Sequence, residues 1–139
     1  MTEKDLDEIL MRPRKCRDRL VICNEELRDA RLKAESNGAI RYDLDKIIKS
    51  ASDDGVPNKV QAIIEAEKRV QEAEKQYNLA CEEAVKLITM IDDPIVKDIA
   101  YRYYIKLQST KYISYKLLVS ESTVIRRKRE VKPTIIHIN

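Results

Sequence analysis

Apolar residues fall into two long stripes. Cys16, Leu20, Cys23, Leu27, Ala30 and Ala34 recur at alternating steps of four and three, and Ile63, Ala66, Val70, Ala73, Tyr77, Ala80, Ala84, Leu87 and Ile91 repeat the pattern further along. Such steps keep a residue on the same helical face at every turn. The spacing therefore predicts an amphipathic helix over 14–35 and a longer one of about 34 residues beginning after Pro57. Arg17, Asp18, Glu25, Arg28 and Asp29 fall on the water-facing side of the first. Pro13 suits a first helical position, which assigns Leu6, Ile9 and Leu10 to a short preceding helix. Between the stripes, "SNG" at 36–38 is a stop signal, Ile40, Leu44, Ile47 and Ile48 mark a short helix within 40–50, and "SASDDGVP" breaks the chain again. That connection is long enough to reverse direction, so residues 1–91 are expected to form an antiparallel coiled-coil-like helical hairpin. Periodicity shows that a face is buried and not by whom, so pairing with a second copy stays open. Two-helix hairpins are marginal alone, and a homo-oligomer through the hairpin is the expectation.

The pattern shortens after Ile91. "IDDPI" at 91–95 is a helix boundary, with Asp92 or Asp93 placed to cap and Pro94 as the first helical residue. Ile95, Ile99, Tyr103 and Ile105 predict a helix ending near Leu107; Ile113, Leu117 and Leu118 predict a second; Val124 and Val131 predict a third. The end of the chain, 133–139, reads as a short extended or disordered tail. The expected fold class is all-α: the long hairpin, then a small three-helix module over 92–132.

Charge divides the same way. Residues 1–94 hold 17 Lys/Arg against 21 Asp/Glu, a balance of −4, whereas residues 95–132 hold 10 against 3, a balance of +7. A positive field at one end suits contact with a polyanion there and with protein elsewhere. Tyr101, Tyr103, Tyr104, Tyr112 and Tyr115 also fall in the basic part, at helical spacing that favours packing of their rings over base stacking.

A helix-turn-helix requires inward apolar residues on its first helix, a small residue where the helices cross, a tight turn, a cap and an inward apolar residue on the second helix. Ile113 and Leu117 supply the first, Ser114 the second, Val119 the turn, Ser120 the cap, and Val124, ten positions after Ser114, the last; Ser109 or Thr110 can cap the leading helix. From the "DDP" boundary through "AYRYYIKLQSTKYISYKLL" to "VSESTVIRR", the chain resembles region 4 of sigma factors as found in phage late-gene transcription regulators of the ArpU and RinA type. The matching positions are Arg102, Tyr103 or Tyr104, Ile105, Ile113, Leu117, Ser120, Thr123, Val124 and Arg126. The resemblance covers about 40 residues closely and the remainder in layout. It implies a DNA-binding transcription regulator of phage origin, acting in the cytoplasm of a bacterial host at a late promoter and in company with RNA polymerase. Two positions depart from the pattern. Leu118 stands where glycine is common, at a steric cost if the turn is left-handed. Arg127 stands where an apolar residue is expected, leaving Val124 and Val131 to pin the last helix, helped by the aliphatic stem of Arg127 or Lys128.

With Val124 inward, helix 120–130 presents Glu121, Ser122, Ile125 and Arg126 to base edges, Arg126 to guanine and Ile125 to a thymine methyl. Thr110, Lys111, Lys116, Ser120, Thr123 and Arg129 are then expected at phosphates. No catalytic constellation, cofactor site or metal site is expected: there is no glycine-rich phosphate loop and no nucleophile elbow, and His137 lacks a partner pattern. Cys16, Cys23 and Cys81 are odd in number and form no CxxC pair, which predicts reduced, packed thiols. No stretch of 18 apolar residues suggests a membrane span. The competing reading is a helical interaction or adaptor protein, whose seams bind a protein partner and whose basic end adheres to nucleic acid without sequence preference.

Overall fold

A computed structural model of the chain describes residues 1–36 and 56–138, and every described element is helical. The helices are α1 (Glu3–Ser36), α2 (Val56–Thr89), α3 (Pro94–Ala100), α4 (Thr110–Leu117), α5 (Glu121–Arg129) and α6 (Val131–Ile138). The short helix expected within 40–50 lies outside the described residues.

The first helix is longer than the spacing predicts. Rather than starting at Pro13, α1 runs through it without interruption. Proline in a helix interior costs about 3 kcal/mol, but Leu6 and Leu10 are both fully buried, and burying each contributes about 1.5–3 kcal/mol. Packing of the first two turns therefore outweighs the local defect. A reciprocal cap closes the start: the Thr2 N–H donates to Asp5 Oδ2 at 3.1 Å and the Asp5 N–H to Thr2 Oγ1 at 3.2 Å. The Thr2 amide, followed by its hydroxyl, holds the Asp5 carboxyl below the usual carboxylate value.

The chain packs as two compact units. One is Arg17–Lys75, in which α1 and α2 run antiparallel: Cys23, Val70 and Ala73 form the core with Leu20 and Leu27 against it, and Glu26 pairs with Arg69 at 3.4 Å while Arg31 pairs with Glu67 at 3.2 Å. The hydrophobic seams thus meet within one chain. Cys23 is buried, Cys16 and Cys81 are half-buried, and all three are free thiols.

The other unit joins Met1–Cys16 to Gln76–Asn139. Its main core gathers Leu6 and Leu10 from α1, Ala84, Ile88 and Ile91 from α2 and its end, Val96 and Ala100 from α3, Tyr104, and Val131 and Ile135 from α6. This core draws residues from both sides of the expected boundary at 91/92. Two expectations are corrected. The last residues form α6, and Pro133 is tolerated there because it sits in the first helical turn, where its missing N–H has no intrahelical partner to lose. Val131 consequently belongs to α6 and the main core, not to the third helix of the basic module.

Asp93 caps α3, its Oδ1 accepting from the N–H groups of Ile95 at 2.9 Å and Val96 at 3.4 Å, with Pro94 first in the helix. Val96 and Ile99 face inward, whereas Ile95 is half exposed, because the buried stripe runs through 96, 99 and 100. After Ala100 the backbone widens into a π turn over Tyr101–Ile105, closed by the Lys106 N–H on the Tyr101 carbonyl at 3.1 Å. It ends at Leu107, which is left-handed at φ 57°, with the Gln108 N–H returning to the Arg102 carbonyl at 3.0 Å. The π turn sets Tyr103 against both the main core and a smaller one described below.

Candidate nucleic-acid interface

The smaller core is what orients the basic end. Ser109 caps α4 by accepting the Tyr112 N–H at 3.1 Å, and Ile113 points inward with no exposure. Helix α4 stops at Leu117. Leu118 adopts φ 57° and ψ 40°, the left-handed conformation that the sequence flags as costly for a residue with a Cβ. Ser114 holds this turn from both sides: its carbonyl accepts the N–H groups of Leu118 and Val119, and its hydroxyl donates to the Val119 carbonyl at 2.5 Å. Ser120 then caps α5, its Oγ accepting the Thr123 N–H at 3.1 Å and lying 2.7 Å from the Thr123 hydroxyl. Val124 is fully buried between Ile99 and Ile113, with Tyr103 and Leu117 packed against the cluster.

With Val124 turned in, Ser122, Arg126 and Arg129 share the outermost stripe of α5, and all three are exposed. Glu121 is exposed too, but its carboxylate accepts from the Thr110 hydroxyl at 3.0 Å, so these two expected DNA-facing residues engage each other and tie the starts of α4 and α5 together. Ile125 is half-buried on the flank of the helix. Lys111, Lys116 and Ser120 are exposed, while Thr110 and Thr123 are half-buried. Among the described residues, Lys111, Lys116, Arg126 and Arg129 have no carboxylate within ion-pair range.

The charged residue at the expected apolar position is accommodated by pairing. Arg127 Nη1 lies 3.2 Å from Glu130 and 3.7 Å from Asp93, the residue that caps α3. Lys128 places its ammonium 4.0 Å from the centre of the Tyr103 ring. Both side chains therefore brace α5 beyond the reach of Val124.

Comparison with protein-family models, curated proteins and solved structures finds no match.

One participant, Arg14, carries no signal in the sequence. Arg14 of α1 stands over Tyr103, 5.1 Å from the ring centre, and its Nη2 donates to the Tyr103 carbonyl at 3.4 Å. No spacing rule links positions so far apart, and a half-buried arginine offers no signal in one sequence. Tyr104, buried in the main core, meets Tyr103 edge to face at 5.0 Å, and burial, then the neighbouring Tyr103 and Asp7, push its hydroxyl up to about 12. His137 is exposed on α6, no described group of His, Cys, Asp and Glu could hold a metal ion, and no described helix is long and apolar enough to cross a membrane.

Proposed function

We propose that the protein is a sequence-specific DNA-binding transcription regulator that reads duplex DNA with α5. The observation that carries this reading is Val124: held at zero exposure behind a left-handed break and a serine cap, it leaves Ser122, Arg126 and Arg129 facing outward on a helix of a size that the major groove admits. Arg126 is the side chain for a guanine edge, and each such two-pronged contact discriminates by about 1–3 kcal/mol. Lys111, Lys116 and Ser120 suit phosphates alongside. The resemblance to region 4 in phage late-gene regulators extends the proposal to a late promoter and to RNA polymerase as partner, and the hairpin to self-association.

The test is a titration of the full chain into duplexes from its own genomic neighbourhood and into scrambled duplexes, at several salt concentrations. A preference of at least about a thousandfold for one site, relaxed at one base pair by Arg126→Ala, is expected. Equal affinity for all duplexes would overturn it.

One observation favours the adaptor reading as the second. Val21, Ile22 and Leu32 of α1 are 47%, 54% and 51% exposed, away from the Cys23 seam, and offer apolar area to a protein partner. Equal duplex affinities would turn attention to that face.

A further inference from the structure

Arg14 on α1 and Lys128 on α5 meet at one tyrosine ring, each without, among the described residues, the carboxylate partner that other cations of their helices have. On α1, Arg12 pairs with Glu83 at 2.8 Å; on α5, Arg127 pairs with Glu130 and Asp93. Arg14 and Lys128 have no carboxylate within ion-pair range among the described residues, and both stand over the ring of Tyr103, at 5.1 and 4.0 Å from its centre. A π face attracts each cation but cancels neither charge. Both border a concavity of about 540 Å³, whose walls also include Gln108, Thr110 and Ile125. The Gln108 side-chain oxygen accepts from Arg102 at 3.4 Å, which leaves its amide N–H groups to donate. The concavity thus offers two uncompensated positive charges and amide donors, with no carboxylate in its lining.

That chemistry selects a phosphate. Its place selects the source: Ile125 and Lys128 belong to the flank of α5 and Thr110 to the first turn of α4, where helix-turn-helix proteins meet the sugar–phosphate backbone at the edge of the groove they read. We infer that Arg14 and Lys128 form a seat for one phosphodiester of duplex DNA beside the groove entered by α5. This rests on the DNA-reading proposal and adds to it that α1, a helix of the hairpin, takes part in holding the duplex.

The experiment measures duplex affinity of the full chain against salt for Arg14→Gln, Lys128→Gln, the double variant, Arg14→Lys and, as a charge-matched control, Lys75→Gln on α2. Losing the contact to one phosphate lowers the slope of log K against log salt by about one, so the expectation is a fall of about one for the double variant and a smaller fall for each single variant. At ~0.1 M salt the double variant binds roughly five- to tenfold more weakly, by the same factor on preferred and scrambled duplexes. Arg14→Lys and Lys75→Gln keep the parent slope. The slope is a property of the molecules that bind, so partial unfolding of a variant does not imitate the effect. If the double variant keeps the parent slope while Arg126→Ala still weakens binding, the seat is overturned and the reading by α5 stands. If the parent protein binds no duplex even at low salt, both fall together.

Discussion

Replacing Val124 with alanine removes two methyl groups from a site with no exposure, between Ile99 and Ile113. Transfer of that apolar volume contributes about 1.6 kcal/mol at ~0.8 per carbon, and the cavity left behind adds about 1 kcal/mol, so Val124→Ala should destabilise by roughly 2–3 kcal/mol. Against a total of about 5–15 kcal/mol for a domain, this is a large fraction, and it corresponds to a fall in Tm of roughly 6–12 °C. Ser122→Ala, two residues away on the exposed face, should stay within about 0.5 kcal/mol of the parent. Urea unfolding followed by circular dichroism gives the global difference, and amide exchange over residues 121–129 reports the same loss locally, which matters in a chain with two compact units. Should Val124→Ala match Ser122→Ala in both measurements, Val124 is not a buried anchor. Arg126 would then have no fixed direction.

Leu118→Gly should raise stability by up to about 1 kcal/mol: it relieves a left-handed leucine at a cost of ~1–2 kcal/mol, partly offset by the greater unfolded-state entropy of glycine, and Leu118 is 90% exposed, so little burial is lost; a urea midpoint below the parent's would refute this. Pro13→Ala should stabilise by about 1–2 kcal/mol, since restoring the hydrogen bond to the Ile9 carbonyl outweighs the lost ring contacts; a lower Tm would show that the buried ring matters more. The Tyr104 hydroxyl, raised to about 12 in the folded chain, favours its protonated form, so its contribution of roughly 2–3 kcal/mol is whole below pH ~10 and disappears as pH climbs through ~12. Unfolding free energies from pH 8 to 12 should therefore decline less steeply in Tyr104→Phe than in the parent, and parallel curves would remove Tyr104 as the cause.

Legibility in the sequence followed the range of the interactions. The stripe of α2 was readable because one helix satisfies it locally, apart from its last turns, where Ile88 and not Leu87 completes the core: a straight helix drifts from the heptad, and the step from Ala84 is four. The inward Val124 and the Ser109 and Ser120 caps were readable for the same reason. What local rules misjudged were Pro13, whose helix persists through tertiary packing, and the stretch 133–138, which continues α6 rather than forming a tail. To local rules Arg127 is a defect because its partner Asp93 belongs to the cap of another helix, and Arg14 gives no signal because Tyr103 is 89 positions away.

The meeting of Leu6 and Leu10 with Val131 and Ile135, reinforced by Lys132 on Asp7 across 125 positions, has a consequence for how the molecule is born. A nascent chain cannot complete this core until α6 leaves the ribosome, and closing so large a ring costs about 2 kcal/mol more in entropy than closing one of ten residues. Folding should be slow for so helical a protein. A fragment cut at the turn before α3 would leave Val96, Tyr104, Val131 and Ile135 without Leu6, Leu10 and Ile88, and open to water.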